Sequence, residues 1–226
     1  MKRAAIGVRM HSGWGALVVV SISGNTVEIV ERRRITVIAP GAAGAKQPYH
    51  FAKNLNLLEG ERFVGICFAA SKCLALAIIQ DVMGKLLERH YRVAGSAVIL
   101  ASGRAQPPLS KILGSHAAIH AAEGEFFREV FSKACEDLDL SVTGIRERDL
   151  QECAKTAFGK AAVRMQQQLS ALGRSLGPPW TTDQKTAALA ALIVLKVGKG
   201  DSAGRRDLLC GSDRESKTSR SRAGMT

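Results

Sequence analysis

The stretch AIGVRMHSGWGALVVV, residues 5–20, constrains the fold more than any other part of the chain. Small, apolar and β-branched residues follow one another there almost without a break. That pattern suits a strand covered on both faces and does not suit an amphipathic helix. Residues 4–22 therefore read as a strand, and SGNT at residues 23–26 supplies a Gly-Asn turn returning the chain into VEIVERRRITVI. A hairpin opens the fold. In its second arm Val27, Ile29, Glu31, Arg33 and Thr36 keep no single alternation, which predicts a bulge or a break near Arg33.

Pro and Gly punctuate the loop APGAAGAKQPYHFAKN, after which residues 57–89 read as a long helix. It is apolar around most of its circumference, so packing on more than one side is expected. Its most apolar part, residues 63–79, carries Ser71 and Lys72 near the middle and falls short of the ~20 residues that span a bilayer; a central buried helix and no membrane insertion are predicted. GSAVILAS, residues 95–102, is a short interior strand. A helix over residues 109–137, a strand in LSVTGI and a helix over residues 146–176 follow, until Gly177-Pro178-Pro179 ends the run. TTDQKTAALAALIVL is the last helix, with Thr182 or Asp183 as its N-cap. No period of 20 to 50 residues repeats, which excludes solenoids.

An antiparallel hairpin followed by alternating strands and helices resembles the ribonuclease-H-like superfamily. Three motifs are most similar to the RuvC-type Holliday-junction resolvases: IGVRMHSGWGALVV looks like that family's first strand, VAGSAVIL like the strand that carries its glutamate, and TTDQKTAALAALIVL like its terminal helix. The resemblance implies an α/β fold, a mixed sheet with helices on both faces. It also implies a carboxylate cluster holding a divalent metal that activates water. Carried over residue by residue, the first acid becomes Arg9, the strand glutamate becomes Leu100 or Ala101, and the terminal pair becomes Asp183 and Thr186. One acid of four remains, and Arg9 puts a positive charge where the metal would lie. The strand is expected to persist as scaffold with its chemistry lost or replaced. Arg9 is read either as a metal-free anion site, since its planar fork suits phosphate or carboxylate, or as an ordinary strand-end arginine. Arg104, in the loop after the VAGSAVIL strand, is a second anion-contact candidate, because α/β folds gather ligands at the carboxyl ends of strands.

A second constellation lies in the helix expected over residues 109–137. On a helical wheel of ~100° per residue centred on Ile112, the side chains of Ile119, Phe126, Phe127 and Val130 form one stripe, and His116, His120 and Glu123 fall inside it. Lys111, Glu125, Arg128 and Glu129 take the solvated side. Two histidines and a glutamate on successive turns suit a self-satisfied hydrogen-bond network, a ligand pocket or a transition-metal site, and His11, His50 and Asp183 are the further donors a metal would draw on. The catalytic candidates are accordingly His116, His120, Glu123 and Asp183, and the metal candidates His116, His120 and Glu123. No cofactor is assigned; a divalent metal is the open candidate.

The net charge of +12 favours an anionic partner. Residues 198–226 are rich in Gly, Ser and charge and read as a disordered basic tail, holding seven of the 32 basic and four of the 20 acidic residues. Residues 1–197 thus form the one expected domain, itself basic. Trp14 and Trp180 are expected to pack rather than to stack bases, and Arg32, Arg33 and Arg34 to lie on a solvated edge strand. The five cysteines contain no CxxC pair and read as reduced thiols. Arg9 and His11 interrupt any signal-peptide core, so a cytoplasmic protein is expected. The favoured function is a degenerate, non-catalytic nuclease-like domain binding nucleic acid or a protein partner. An enzyme with a relocated His/Glu site on the helix at residues 109–137, and a structural dimerisation module, are the alternatives.

Overall fold

The computed structural model describes residues 1–101 and 105–198; the basic tail from residue 199 on, Cys210 and Arg104 lie outside the described residues. Three antiparallel strands come first: β1 (Lys2–His11), β2 (Trp14–Ser23) and β3 (Thr26–Thr36). Residues 4–22 are thus two strands rather than one. The turn between them falls at Ser12-Gly13, where Gly13 takes a φ of 80° that a residue with a Cβ rarely adopts. The expected Gly-Asn turn joins β2 to β3, and the irregularity in β3 falls opposite Val19 and Val20, at Val30 rather than near Arg33.

Helices α1 (Pro48–Ala52) and α2 (Leu57–Glu88) lead to β4 (Tyr91–Leu100), which runs parallel to β1. Then come α3 (Leu109–Leu113), α4 (His116–Glu136) and β5 (Val142–Arg146), parallel to β4. The sheet order is β3-β2-β1-β4-β5. Three antiparallel strands with two parallel ones added beyond the first, and helices on both faces, make this an α/β ribonuclease-H-like fold.

The segment expected as one helix over residues 146–176 is divided into α5 (Leu150–Phe158), α6 (Ala162–Ala171) and α7 (Gly173–Leu176), the first break falling at Gly159 with a φ of 54°. The last helix, α8 (Thr182–Val197), is capped by Thr181, whose hydroxyl accepts from the Gln184 amide while the Gln184 side chain accepts from the Thr181 amide. The cap lies one residue earlier than expected. Asp183 is therefore in the first turn, with its carboxylate free of capping duty.

Two cores flank the sheet. One joins Ile6, Val8, Leu17 and Val19 to α2 and α4; the other joins Ala5, Val18, Ala97 and Ile99 to α5, α6 and α8. Against expectation, α2 is not central. Its buried residues Gly60, Cys67, Ser71, Ala75, Ile79, Val82 and Leu86 follow a single stripe, at intervals of three or four from Cys67 on, while Ile66, Leu58 and Leu87 on other faces are more than half exposed. Among the described residues α2 is the one helix long and apolar enough to cross a membrane. Helix α8, by contrast, is buried along nearly its whole length from Ala187 to Leu195.

The seat of α8 is cut by Gly7. A Cβ there would lie well inside contact distance of the Ala187 carbonyl oxygen, backbone that cannot swing aside. Gly7→Ala is therefore expected to cost at least ~3 kcal/mol, at the upper end of the overpacking range or beyond, or to prevent folding. Urea denaturation of the purified variant measures it, and a loss under ~1 kcal/mol would contradict the packing described here.

Candidate functional site

Residues 5, 7, 9 and 11 of β1 share the face that meets α8, so the strand that seats the helix on Gly7 also carries Arg9 and His11 to its first turn. Arg9 donates through Nη1 to Asp183 Oδ1, and its Nη2 lies 2.8 Å from Glu147 Oε1. Glu147 sits in a 3-10 turn (Glu147–Asp149) directly after β5. The other Asp183 oxygen lies 2.9 Å from His11 Nε2. His11 stacks on Trp14 at 4.3 Å, and the Arg34 guanidinium lies 3.9 Å from the Trp14 ring. Trp180 donates its indole N–H to the Leu169 carbonyl at 2.7 Å. Both tryptophans are thus engaged within the fold.

A second guanidinium stands at the same edge. Arg128 of α4 donates from Nε to the Ile99 carbonyl at 2.9 Å, near the end of β4. Burial draws it below the ordinary arginine value; Glu125 and Glu147 oppose that shift and Arg9 adds to it. Sequence reasoning placed Glu125 and Arg128 on the solvated side, whereas Glu125 is buried and Arg128 half-buried. Leu100 occupies the end of β4 itself, paired with Arg146, which donates to Asp149.

These donors can be set against the metal cluster that the sequence resemblance implies. A hard divalent ion takes six or more oxygen ligands, several of them anionic. At this edge Asp183 and Glu147 both point at the Arg9 guanidinium, and the β4 position is a leucine. Such a donor set does not fit a divalent cation. These two ion pairs use Nη1 and Nη2 of a guanidinium that has five N–H donors.

His116, His120 and Glu123 do not share an environment. Glu123 is buried, but His116 and His120 are exposed, because the helix expected over residues 109–137 is interrupted at Gly114-Ser115. Ser115 caps α4 afresh, and the wheel phase carried over from Ile112 does not survive the break. Instead, His50 of α1 joins the two exposed histidines. His116 Nε2 and His120 Nε2 are 2.9 Å apart, the His50 ring centroid is 4.9 Å from that of His120, and one ligand nitrogen from each of the three lies within 4.8 Å of the others. Glu123 Oε1 accepts the backbone N–H groups of Tyr49 at 2.8 Å and His50 at 3.0 Å, and lies 3.4 Å from His50 Nδ1. Burial pushes the Glu123 carboxyl up, against the hydrogen bonds from His50 and Tyr49 that draw it down. The neighbouring Tyr49 phenol is pushed up to about 12, by burial first and then by Glu129 and Glu123.

The partners of Arg9 and those of His116 have no residue in common. Of the donors proposed from sequence, His11 and Asp183 belong to the Arg9 edge and His50 to the histidine cluster. Glu147 was not foreseen, since nothing in RERD distinguishes a helix-start acid from an arginine partner.

The sheet order gives the chain a ribonuclease-H-like fold, with Arg9 near the carboxyl end of β1 set between Asp183 and Glu147. No protein-family model matches the chain, and no curated protein matches it in sequence. Among solved structures, the chain is similar to Thermus thermophilus RuvC, at 13% identity over 87% of this chain and 96% of that one, with a TM-score of 0.46. It is also similar to T. thermophilus RuvC in complex with a Holliday junction substrate, at 14% identity over 84% and 91% of the two chains, with a TM-score of 0.45.

The Arg9 and Asp183 side chains are each about a fifth exposed, intermediate between surface and buried pairs. A double-mutant cycle of Arg9→Met and Asp183→Asn is expected to give a coupling of about 1–2 kcal/mol in urea denaturation. A coupling near zero would remove the pair as an organising contact.

Proposed function

We propose that this chain is a non-catalytic, nuclease-like domain that binds nucleic acid through its phosphate backbone. The observation that carries the reading is the Arg9 guanidinium set between Asp183 and Glu147. Metal-assisted hydrolysis needs carboxylates open to a cation, and here they are committed to a fixed charge. The net charge of +12, of which the basic tail of residues 198–226 supplies +3, supports an anionic partner. Because Trp14 lies between an imidazole and a guanidinium and Trp180 is hydrogen-bonded to a helix carbonyl, base stacking has no platform in either, so weak sequence preference is expected. Arg9, near the carboxyl end of β1, is the proposed contact among the described residues, and Arg104 is proposed as a second from the sequence alone.

Magnesium or manganese should not support cleavage of four-way junctions or single strands. Binding should weaken with salt at a log-log slope of about −0.9 per phosphate contact on duplex DNA. Metal-dependent cleavage abolished by Asp183→Asn, or an affinity unchanged between low and physiological salt, would overturn the proposal.

A second reading, a dimerisation module, is favoured by the outer side of α2. Ile66 there is 68% exposed, on a helix whose exposed positions also include Gly65, Ala69, Cys73 and Ala77. Small residues let two helices approach closely, and an apolar face of this kind is unusual on a monomer. On this reading, sedimentation equilibrium should give a dimer that Ile66→Glu converts to monomer. A wild-type monomer at all concentrations would exclude it.

A further inference from the structure

The histidine cluster carries an inference independent of whether the domain binds nucleic acid. We propose that His50, His116 and His120 form a three-nitrogen site for a zinc-class transition-metal ion, with Glu123 as the carboxylate that orients His50 from behind.

Three imidazoles from two separate elements, α1 and the first turns of α4, present nitrogens within 4.8 Å of one another. Histidines at i and i+4 of a helix are a common metal-binding pair, and the third comes from a helix 66 positions earlier than His116, so the convergence is made by tertiary structure rather than by local sequence. Tetrahedral coordination at Zn–N distances near 2.0–2.1 Å sets ligand nitrogens about 3.3 Å apart. The His116–His120 separation of 2.9 Å has to open by a few tenths of an ångström, and the third nitrogen has to close in. Both adjustments fall to side chains whose imidazoles have room: His116 and His120 are exposed and His50 partly so.

Glu123 is the independent observation. Its side chain is more than nine-tenths buried, and Oε2 has no hydrogen-bond partner, an expensive position for a carboxylate. Oε1 holds the Tyr49 and His50 amides and faces His50 Nδ1. An Nδ1–H donated to this carboxylate fixes the tautomer whose Nε2 lone pair is free to coordinate. This is the carboxylate–histidine arrangement that raises ligand basicity at metal centres. Neutral imidazoles suit zinc, nickel or copper and not magnesium or calcium, which sets this site apart in kind from an oxygen-ligated nuclease centre. Three protein ligands leave a position for water. The ion would also tie α1, and with it the loop between β3 and α2, to the start of α4.

The test uses the full-length protein, untagged and stripped with chelator, titrated with Zn2+ by calorimetry and with Co2+ by visible absorption. One equivalent per chain and the ligand-field bands of tetrahedral cobalt are expected. His50→Gln, His116→Gln and His120→Gln should each weaken binding at least 100-fold, with circular dichroism and melting unchanged for the two exposed positions. Glu123→Gln keeps an oxygen for the two amides and should weaken binding 10- to 100-fold, the range for loss of a supporting carboxylate. Sub-stoichiometric binding by the wild type would overturn the proposal. So would a thiolate-to-cobalt band placing the ion on a cysteine, or binding undiminished by His50→Gln, which would reduce the site to an exposed histidine pair. The wild-type measurements stand even if a variant fails to fold.

Discussion

The contact between α8 and β1 is the constraint on which the rest of the molecule depends. Helix and strand meet at Gly7, where the absence of a side chain lets the Ala187 carbonyl come down onto the sheet. That approach buries α8 on nearly all sides, and it carries the capped first turn to the end of β1. Asp183 then meets Arg9 and His11 at the end of the strand. The sequence resemblance implies a cation held by carboxylates at this place. With arginine on the strand, the positive charge is covalently part of the protein and cannot be exchanged.

Arginine is used this way throughout the chain. Arg32 donates to the Leu176, Gly177 and Pro179 carbonyls and holds the segment that precedes α8 against the edge strand. Arg33, on the opposite face, joins Asp81 and the Ile78 carbonyl of α2. Arg89 caps the Val30 carbonyl, and Arg128 the Ile99 carbonyl. β3 is an edge strand as its sequence suggests, but of its three consecutive arginines only Arg34 is exposed, while Arg32 and Arg33 are half-buried. Two tie helices to the sheet and the third lies against Trp14. A planar group with five donors satisfies carbonyls left over at helix and strand ends, which lysine does poorly. Part of the chain's basic character accordingly serves its own architecture.

The course of the sheet was legible because apolar runs and Gly-Asn or Gly-Pro punctuation mark it directly. The Ser12-Gly13 turn was lost because both strands beyond it are rich in apolar and β-branched residues, so that the two read as one run. Arg9 and Asp183 were legible as positions, but their mutual contact depends on how far α8 descends, and that is decided by Gly7, a residue with no side chain to signal it. The histidines failed differently. A wheel assumes an unbroken helix, and Gly114 followed by Ser115 is a stop and a new start. Read as a cap, that dipeptide would have released His116 and His120 from the apolar stripe. His50 sat in a loop known only by its Pro and Gly, where no periodicity could relate it to a helix 66 residues on.

Helix α4 reaches both ends of this account. Its first turns hold His116 and His120 beside α1, and Arg128, eight residues beyond His120, grips the end of β4. Those eight residues span about 12 Å of helix axis. A helix shortens little under load, since its hydrogen bonds run along the axis. Helix α4 thus joins the two polar edges of the molecule as a strut joins two walls.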